Sequence, residues 1–211
     1  MTKVKICGIT NLKEISLLNK YLPDYAGFVF VKSRRQVTPE QAAELGAGLA
    51  PTIKKVGVFV DYEVELVADA AMRAGLDAVQ LHGSENGRYI EVLRSLLKPG
   101  IEIWKALRVN DDHMPEPGMV NSMDVDRLLL DTYINDAYGG TGKCFEWGLV
   151  TKMSIDVPIV LAGGLNPGNV RQAMEQAKPF AVDISSGVES EGFKDEHKMQ
   201  AFIDTVRGGK V

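Results

Sequence analysis

Short, nearly unbroken apolar runs recur along the chain at residues 4–7, 25–30, 55–60, 78–81, 102–107, 127–131, 158–162 and 181–184. A strand covered on both faces produces such a run, whereas a strand with one wet face alternates. Successive runs start 21 to 31 residues apart, the room needed for one strand and one crossover helix. The intervening stretches turn to helical spacing with recognisable starts. Thr38, Pro39 and Gln41 supply an N-cap, an N1 proline and a capping-box partner for a helix running to about Leu49. Asp61 is the expected cap of a helix over 62–73 that closes at Gly75. Ile90, Leu93, Leu96 and Leu97 recur at helical spacing after a start near Ser84, Asn166-Pro167 opens a helix through Met174, and Asp195 opens the last one, with Met199, Phe202, Ile203 and Val206 as its inner stripe. The crossover at 110–125 holds Pro115, Pro117 and Gly118, so a short turn or irregular loop is expected there.

Eight strand–crossover units fit either a closed barrel or an open doubly wound sheet. An open sheet commonly carries its glycine fingerprint after the first strand. Here the glycine-rich strand ends come last, at Gly163-Gly164 and at 183–187. In barrels, the loops after the seventh and eighth strands form a phosphate site. The plainer account is two tight strand-to-helix turns. The reading that results is a single-domain (β/α)8 TIM barrel over residues 1–211, with a weak or missing fifth helix.

Composition narrows the function. With 45% hydrophobic and 25% charged residues and a net charge of −4, the chain has no basic excess with which to neutralise a nucleic-acid backbone. The apolar stretch at 4–7 is too short for a signal peptide, and no apolar run is long enough to span a bilayer, so a cytoplasmic protein without a membrane partner is expected. Cys7 and Cys144 are expected as free thiols in a reducing compartment, and two cysteines do not build a zinc site unaided.

Barrel chemistry gathers at the carboxyl ends of the strands. Those positions hold Cys7, 32–35, Asp61, His82, Arg108, Asp131, Gly163, Gly164 and 183–187. Alternation sends Lys5 and Cys7 into the barrel and Ile6 out to the helices. An ammonium beside a thiol favours thiolate, which makes Cys7 a candidate base or nucleophile; the alternative is a buried structural cysteine. Asp131 closes an apolar run, where a partly buried carboxyl holds a proton to donate; the alternatives are a helix N-cap or a partner for the barrel lysine. His82 is either a proton-transfer group or a side chain bonded to its neighbours. Arg34 and Arg35 form either a solvated turn or a clamp for a carboxylate. The stretch 138–144 approaches a nucleotide-binding P-loop but fails at Ala137 and Cys144, and reads instead as a loop that folds over a substrate.

Lys3-Val4-Lys5-Ile6-Cys7-Gly8-Ile9-Thr10, Ser33-Arg34-Arg35-Gln36-Val37, Val79-Gln80-Leu81-His82-Gly83, Leu129-Leu130-Asp131-Thr132, Leu161-Ala162-Gly163-Gly164-Leu165 and Val182-Asp183-Ile184-Ser185-Ser186-Gly187-Val188-Glu189 together resemble phosphoribosylanthranilate isomerase, across nearly the whole chain. The first and last segments are the specific ones; the Gly-Gly-Leu element is shared by many phosphate-binding barrels. The resemblance implies an Amadori rearrangement of N-(5-phosphoribosyl)anthranilate to 1-(2-carboxyphenylamino)-1-deoxyribulose 5-phosphate in tryptophan biosynthesis, with no metal or organic cofactor. It implies Cys7 as general base and Asp131 as general acid. Arg35 is implied to hold the anthranilate carboxylate, Asp183 to touch the substrate, and backbone around Gly163, Gly164, Ser186 and Gly187 to hold the phosphate. His82 and Lys5 join the substrate-binding set, and the protein is a monomer or homodimer. Cys144 and Arg34 depart from the family pattern without touching the acid–base pair. Two other readings stand beside this one: another phosphosugar barrel such as an epimerase or an indole-forming synthase, and a non-catalytic barrel that binds a phosphorylated ligand. Metal-dependent epimerisation calls for histidine ligands, and His113 and His197 lie away from the strand ends.

Overall fold

The computed structural model describes residues 1–132 and 146–209. Strands β1 (Lys3–Cys7), β2 (Tyr25–Val29), β3 (Lys54–Phe59), β4 (Ala78–Leu81), β5 (Glu102–Val109), β6 (Arg127–Thr132), β7 (Ile159–Ala162) and β8 (Ala181–Ile184) coincide with the eight apolar runs. Each pairs in parallel with the next, and β8 returns to β1 through Lys3↔Ala181, Val4↔Val182, Lys5↔Asp183 and Ile6↔Ile184. The sheet is therefore a closed barrel, and no edge strand is left to be protected.

Alternation along the strands makes two cores. Tyr25, Val56, Ala78, Trp104, Leu129 and Val160 point inward, with Tyr25 edge-on to Trp104 at 5.0 Å between ring centroids. Outward residues such as Ile6, Phe28, Phe59, Leu81, Leu128 and Val182 meet the helix layer in a second, larger cluster. Each large side chain buried there contributes roughly 1.5–3 kcal/mol, so the sheet–helix layer rather than the barrel axis carries most of the hydrophobic stabilisation. That leaves the upper part of the axis free to carry polar groups.

The helices are α1 (Leu12–Tyr21), α2 (Pro39–Ala47), α3 (Val64–Arg73), α4 (Gly87–Leu96), α5 (Pro117–Asn121), α6 (Val170–Ala177) and α7 (Glu196–Val206). At α2 the capping box is complete: Gln41 N donates to Thr38 Oγ1 at 3.2 Å, and Thr38 N donates to Gln41 Oε1 at 2.9 Å. The fifth crossover helix is only five residues long, as its prolines require.

Several boundaries differ from expectation. Asp61 does not cap α3, which starts at Val64 after Glu63; it sits at φ 51° and accepts hydrogen bonds from Ser84 N and Ser84 Oγ instead. Asn86, not Ser84, caps α4 by accepting from Tyr89 N. Residues 166–169 form a turn in which Gly168 N donates to Asn166 Oδ1, so α6 begins only at Val170. The sixth crossover carries a 3₁₀ run at Trp147–Lys152. Helix α1, capped by Asn11 and buried through Ile15 and Leu18, is not among the helices expected above, and a small hairpin of β9 (Glu189–Ser190) and β10 (Phe193–Lys194) interrupts the last crossover. Glu191 at φ 52° and Gly192 at φ 89° give that hairpin its two-residue turn with both central residues left-handed. The loop at 138–144, with Cys144, lies outside the described residues. Among the described residues, no helix is long and apolar enough to cross a membrane.

Candidate active site

A cavity of about 660 Å³ opens at the carboxyl ends of the strands. Cys7, Arg35, His82, Arg108, Asp131, Gly163, Gly164, Asp183, Ser186 and Gly187 line it, so the strand-end residues do converge. Lys32 and Asp61 are not among its walls. Gln80 and Thr132 are, and the period-two rule finds the first of them, since Gln80 precedes His82 by two. A larger hollow of about 820 Å³ lies at the opposite end, among Met1, Pro158 and Phe180, but it gathers no thiol and no strand-end acid–base pair.

Lys5 is fully buried and its Nζ lies 2.9 Å from Asp183 Oδ2 across the β1–β8 seam. The other Asp183 oxygen, Oδ1, is buried and has no hydrogen-bond partner among the described residues. A buried acceptor of that kind costs free energy until a donor arrives, so it marks a place for a ligand hydroxyl or N–H. Cys7 Sγ is accommodated because its partner on β2 is Gly27, where a Cβ would stand 2.8 Å from that sulfur. The expected lowering of the thiol pKa by Lys5 is overridden. Burial pushes Cys7 upward most strongly and Asp183 adds to this, while Lys5 and Lys194 only partly offset it. On Lys5, burial works against the ammonium, but Asp183 and Cys7 outweigh it and raise its pKa.

On the other side of the mouth, His82 Nε2 lies 3.1 Å from Asp131 Oδ2, and Gln80 Nε2 lies 3.1 Å from His82 Nδ1. With the Gln80 amide donating to Nδ1, the Nε2–H of His82 donates to Asp131. The barrel lysine pairs with Asp183, so Asp131 is not its counter-ion. Both strand ends beside this group are stripped to backbone. Gly163 and Gly164 adopt φ of 83° and 65°, and a Cβ on Gly163 would lie 2.3 Å from Thr132 N. A Cβ on Gly187 would lie 2.0 Å from Leu165 O. Close backbone packing at both positions excludes any side chain larger than hydrogen.

Arg35 reaches the cavity wall held by Glu189, which the sequence reading did not single out. Arg35 Nε donates to Glu189 Oε1 at 2.8 Å and Nη2 to Oε2 at 2.7 Å. Lys194 Nζ donates to Glu189 Oε1 at 2.7 Å, and Arg34 also donates to this carboxylate. Burial alone would push Glu189 up, but the hydrogen bonds from Arg35 and Lys194 and their charges bring it down to about 2. Lys194 is itself lowered, burial being the largest cause and Glu189 only partly offsetting it. Both shifts are downward, but the one on Glu189 favours its charged form and the one on Lys194 disfavours it, because one carboxylate serves three cations, while Lys194 is buried with one counter-ion and Arg35 as a neighbouring repulsive charge.

A depressed carboxylate pKa stabilises the fold above its unfolded value of about 4.5 and loses that contribution as pH falls toward about 2. The Glu189 side chain is only 5% exposed, so the full effect is on the order of 3 kcal/mol. Urea unfolding of Glu189→Gln is therefore expected to show a flatter decline in stability between pH 5 and pH 2, of about that size, than the unaltered protein. Equal slopes would mean that the carboxylate is not held as described.

An eight-stranded parallel barrel that gathers its polar side chains at one mouth defines a (β/α)8 protein built as an enzyme. The family model described as N-(5'phosphoribosyl)anthranilate (PRA) isomerase matches residues 4–205. The N-(5'-phosphoribosyl)anthranilate isomerase of Acetivibrio thermocellus is 47% identical over 212 residues, covering 98% of this chain and 96% of that one. The crystal structure of phosphoribosyl anthranilate isomerase from Thermotoga maritima superposes with a TM-score of 0.87 at 40% identity, covering 99% of this chain and 100% of that one. A second, of the isomerase in complex with reduced 1-(o-carboxyphenylamino)-1-deoxyribulose 5-phosphate, does so with a TM-score of 0.83 at 37% identity and the same coverage. The chain belongs to the N-(5'-phosphoribosyl)anthranilate isomerase family, the isomerases of tryptophan biosynthesis.

Proposed function

We propose that the chain converts N-(5-phosphoribosyl)anthranilate to 1-(2-carboxyphenylamino)-1-deoxyribulose 5-phosphate by an Amadori rearrangement, with Asp131 as general acid and Cys7 as general base. The observation that carries this reading is the placing of a thiol on β1 and a carboxyl on β6 in the wall of one cavity that glycines of the last two strand ends also line. Asp131 gives its proton to the furanose ring oxygen as the C1′–O bond breaks, leaving a cationic imine at C1′. Cys7 thiolate takes the proton from C2′, and the electron pair moves into the C1′–C2′ bond, neutralising the imine to an enolamine. The enol proton returns to Asp131 while the Cys7 thiol delivers a proton to C1′, so both groups end in their starting forms.

Electrostatics favours this order. Burial pushes the free thiol up, so the thiolate from which turnover starts is the minor form of the free protein. The imine cation formed on ring opening adds a positive charge beside the one Lys5 already supplies, which stabilises the thiolate at the step that uses it. Backbone at Gly163, Gly164, Ser186 and Gly187 holds the phosphate, Arg35 takes the anthranilate carboxylate, and Asp183 Oδ1 accepts from a substrate hydroxyl. His82 orients Asp131.

Freshly prepared N-(5-phosphoribosyl)anthranilate, followed by loss of its fluorescence with indole-glycerol-phosphate synthase in excess to remove product, tests the reading. Consumption well above the spontaneous background is expected. Background consumption only, with the phosphorylated analogue still bound, would favour the non-catalytic binding barrel.

A further inference from the structure

Behind the cavity wall, in contact with Arg35, is buried a carboxylate where a site for a dianionic phosphate and a benzoate has least use for one. Glu189 subtracts negative charge's worth of attraction from a cavity that should attract anions, yet it is buried and receives four hydrogen bonds from Arg34, Arg35 and Lys194. Electrostatic attraction does not explain it. Geometry does. Arg35 is gripped along its Nε–Nη2 edge, and its Nη1 makes no hydrogen bond among the described residues, so one edge of the fork is fixed to protein and the other remains for a ligand. Gly8 at φ 85° completes the mounting, because a Cβ there would stand 2.3 Å from Arg35 Cδ.

Resting on the proposed Amadori reading, we infer that Glu189 is a positioning residue for substrate recognition: it holds the Arg35 guanidinium at the angle and depth at which its open edge meets the substrate's benzoate. The hairpin of β9 and β10 exists in this account to deliver Glu189 and Lys194 together, since Lys194↔Glu189 is one of its two register pairs. Lys194 in turn donates to Ser185 O, and Ser185 Oγ donates to Cys7 O, so the carboxylate has a fixed backing rather than a mobile one. An arginine without that backing would sweep many rotamers, and the binding site would bear the cost of fixing it each time.

The test is equilibrium binding of the reduced product analogue, read by its anthranilate fluorescence, to the unaltered protein, Glu189→Gln, Arg35→Met and the double variant, beside inhibition or displacement by inorganic phosphate. Glu189→Gln is expected to weaken the analogue about tenfold and Arg35→Met about 100-fold, with the double variant no weaker than Arg35→Met alone. In turnover the loss should fall on KM, with kcat within about threefold of the unaltered enzyme. Inorganic phosphate, held by the glycine backbone, should bind all four proteins alike. Unchanged affinity in Glu189→Gln, additive losses in the double variant, or a parallel loss of phosphate binding would each overturn the inference, the last by assigning Glu189 to the scaffold. Absence of turnover in the unaltered protein would instead count against the isomerase reading, because the binding comparison proceeds without catalysis.

Discussion

Cys7→Ser and Asp131→Asn each lower kcat by about 10²–10⁴-fold in the expected result, with binding of the reduced product analogue kept within a few-fold, because removing a positioned acid or base forfeits that much. Both replacements preserve shape. Serine fits the notch left by Gly27, and asparagine keeps the hydrogen bond to His82, so a loss of rate reports proton transfer rather than collapse of the site. Serine fails as a base because a hydroxyl in the position that pushes the thiol upward is harder still to ionise. The same burial fixes the sign of the pH dependence: with the thiol raised above its ordinary value, the free enzyme gains thiolate as pH rises, so the base-dependent limb of kcat/KM climbs with pH and disappears in Cys7→Ser. Turnover near that of the unaltered enzyme in both variants would sink the acid–base assignment.

Lys5→Met is expected to cost about 3–5 kcal/mol in stability, since it leaves Asp183 as a buried carboxylate without its counter-ion. For a chain of this size that corresponds to a midpoint about 6–20 °C lower in a thermal melt. The size of the loss follows from burial: Lys5 is fully buried and the Asp183 side chain is 9% exposed, so water cannot replace the ammonium. Adding Asp183→Asn to Lys5→Met should recover most of the loss, because two neutral groups in a buried site need no pairing. A single variant within about 1 kcal/mol of the unaltered protein would show that the pair is not energetically coupled.

How far the molecule was legible depended on the range of the physics. The strands could be read because both faces of each are covered, so apolar residues fill them irrespective of what lies far away. Alternation within one strand singles out Cys7, the end of an apolar run singles out Asp131, and the family resemblance singles out Asp183. Asp61 was misread because an acidic residue ahead of a helical stretch is a local cap signal, whereas its carboxylate is taken by Ser84, on the loop after the next strand. Glu189 was invisible for a different reason. Its meaning lies in Arg35, separated from it by 154 positions in the chain, and no local pattern encodes that meeting.

The seam between β1 and β8 has a consequence for how the protein comes into being. The strand bearing Lys5 and Cys7 leaves the ribosome before its partner Asp183, which lies 178 positions later. At about 5–20 residues per second, translation leaves the first strand without its second neighbour for roughly ten seconds or more. Joining the two ends closes a very long loop, a slow and entropically costly event that comes late in folding. The seam that sets Lys5 and Cys7 beside Asp183 is therefore missing from every partial chain that lacks β8.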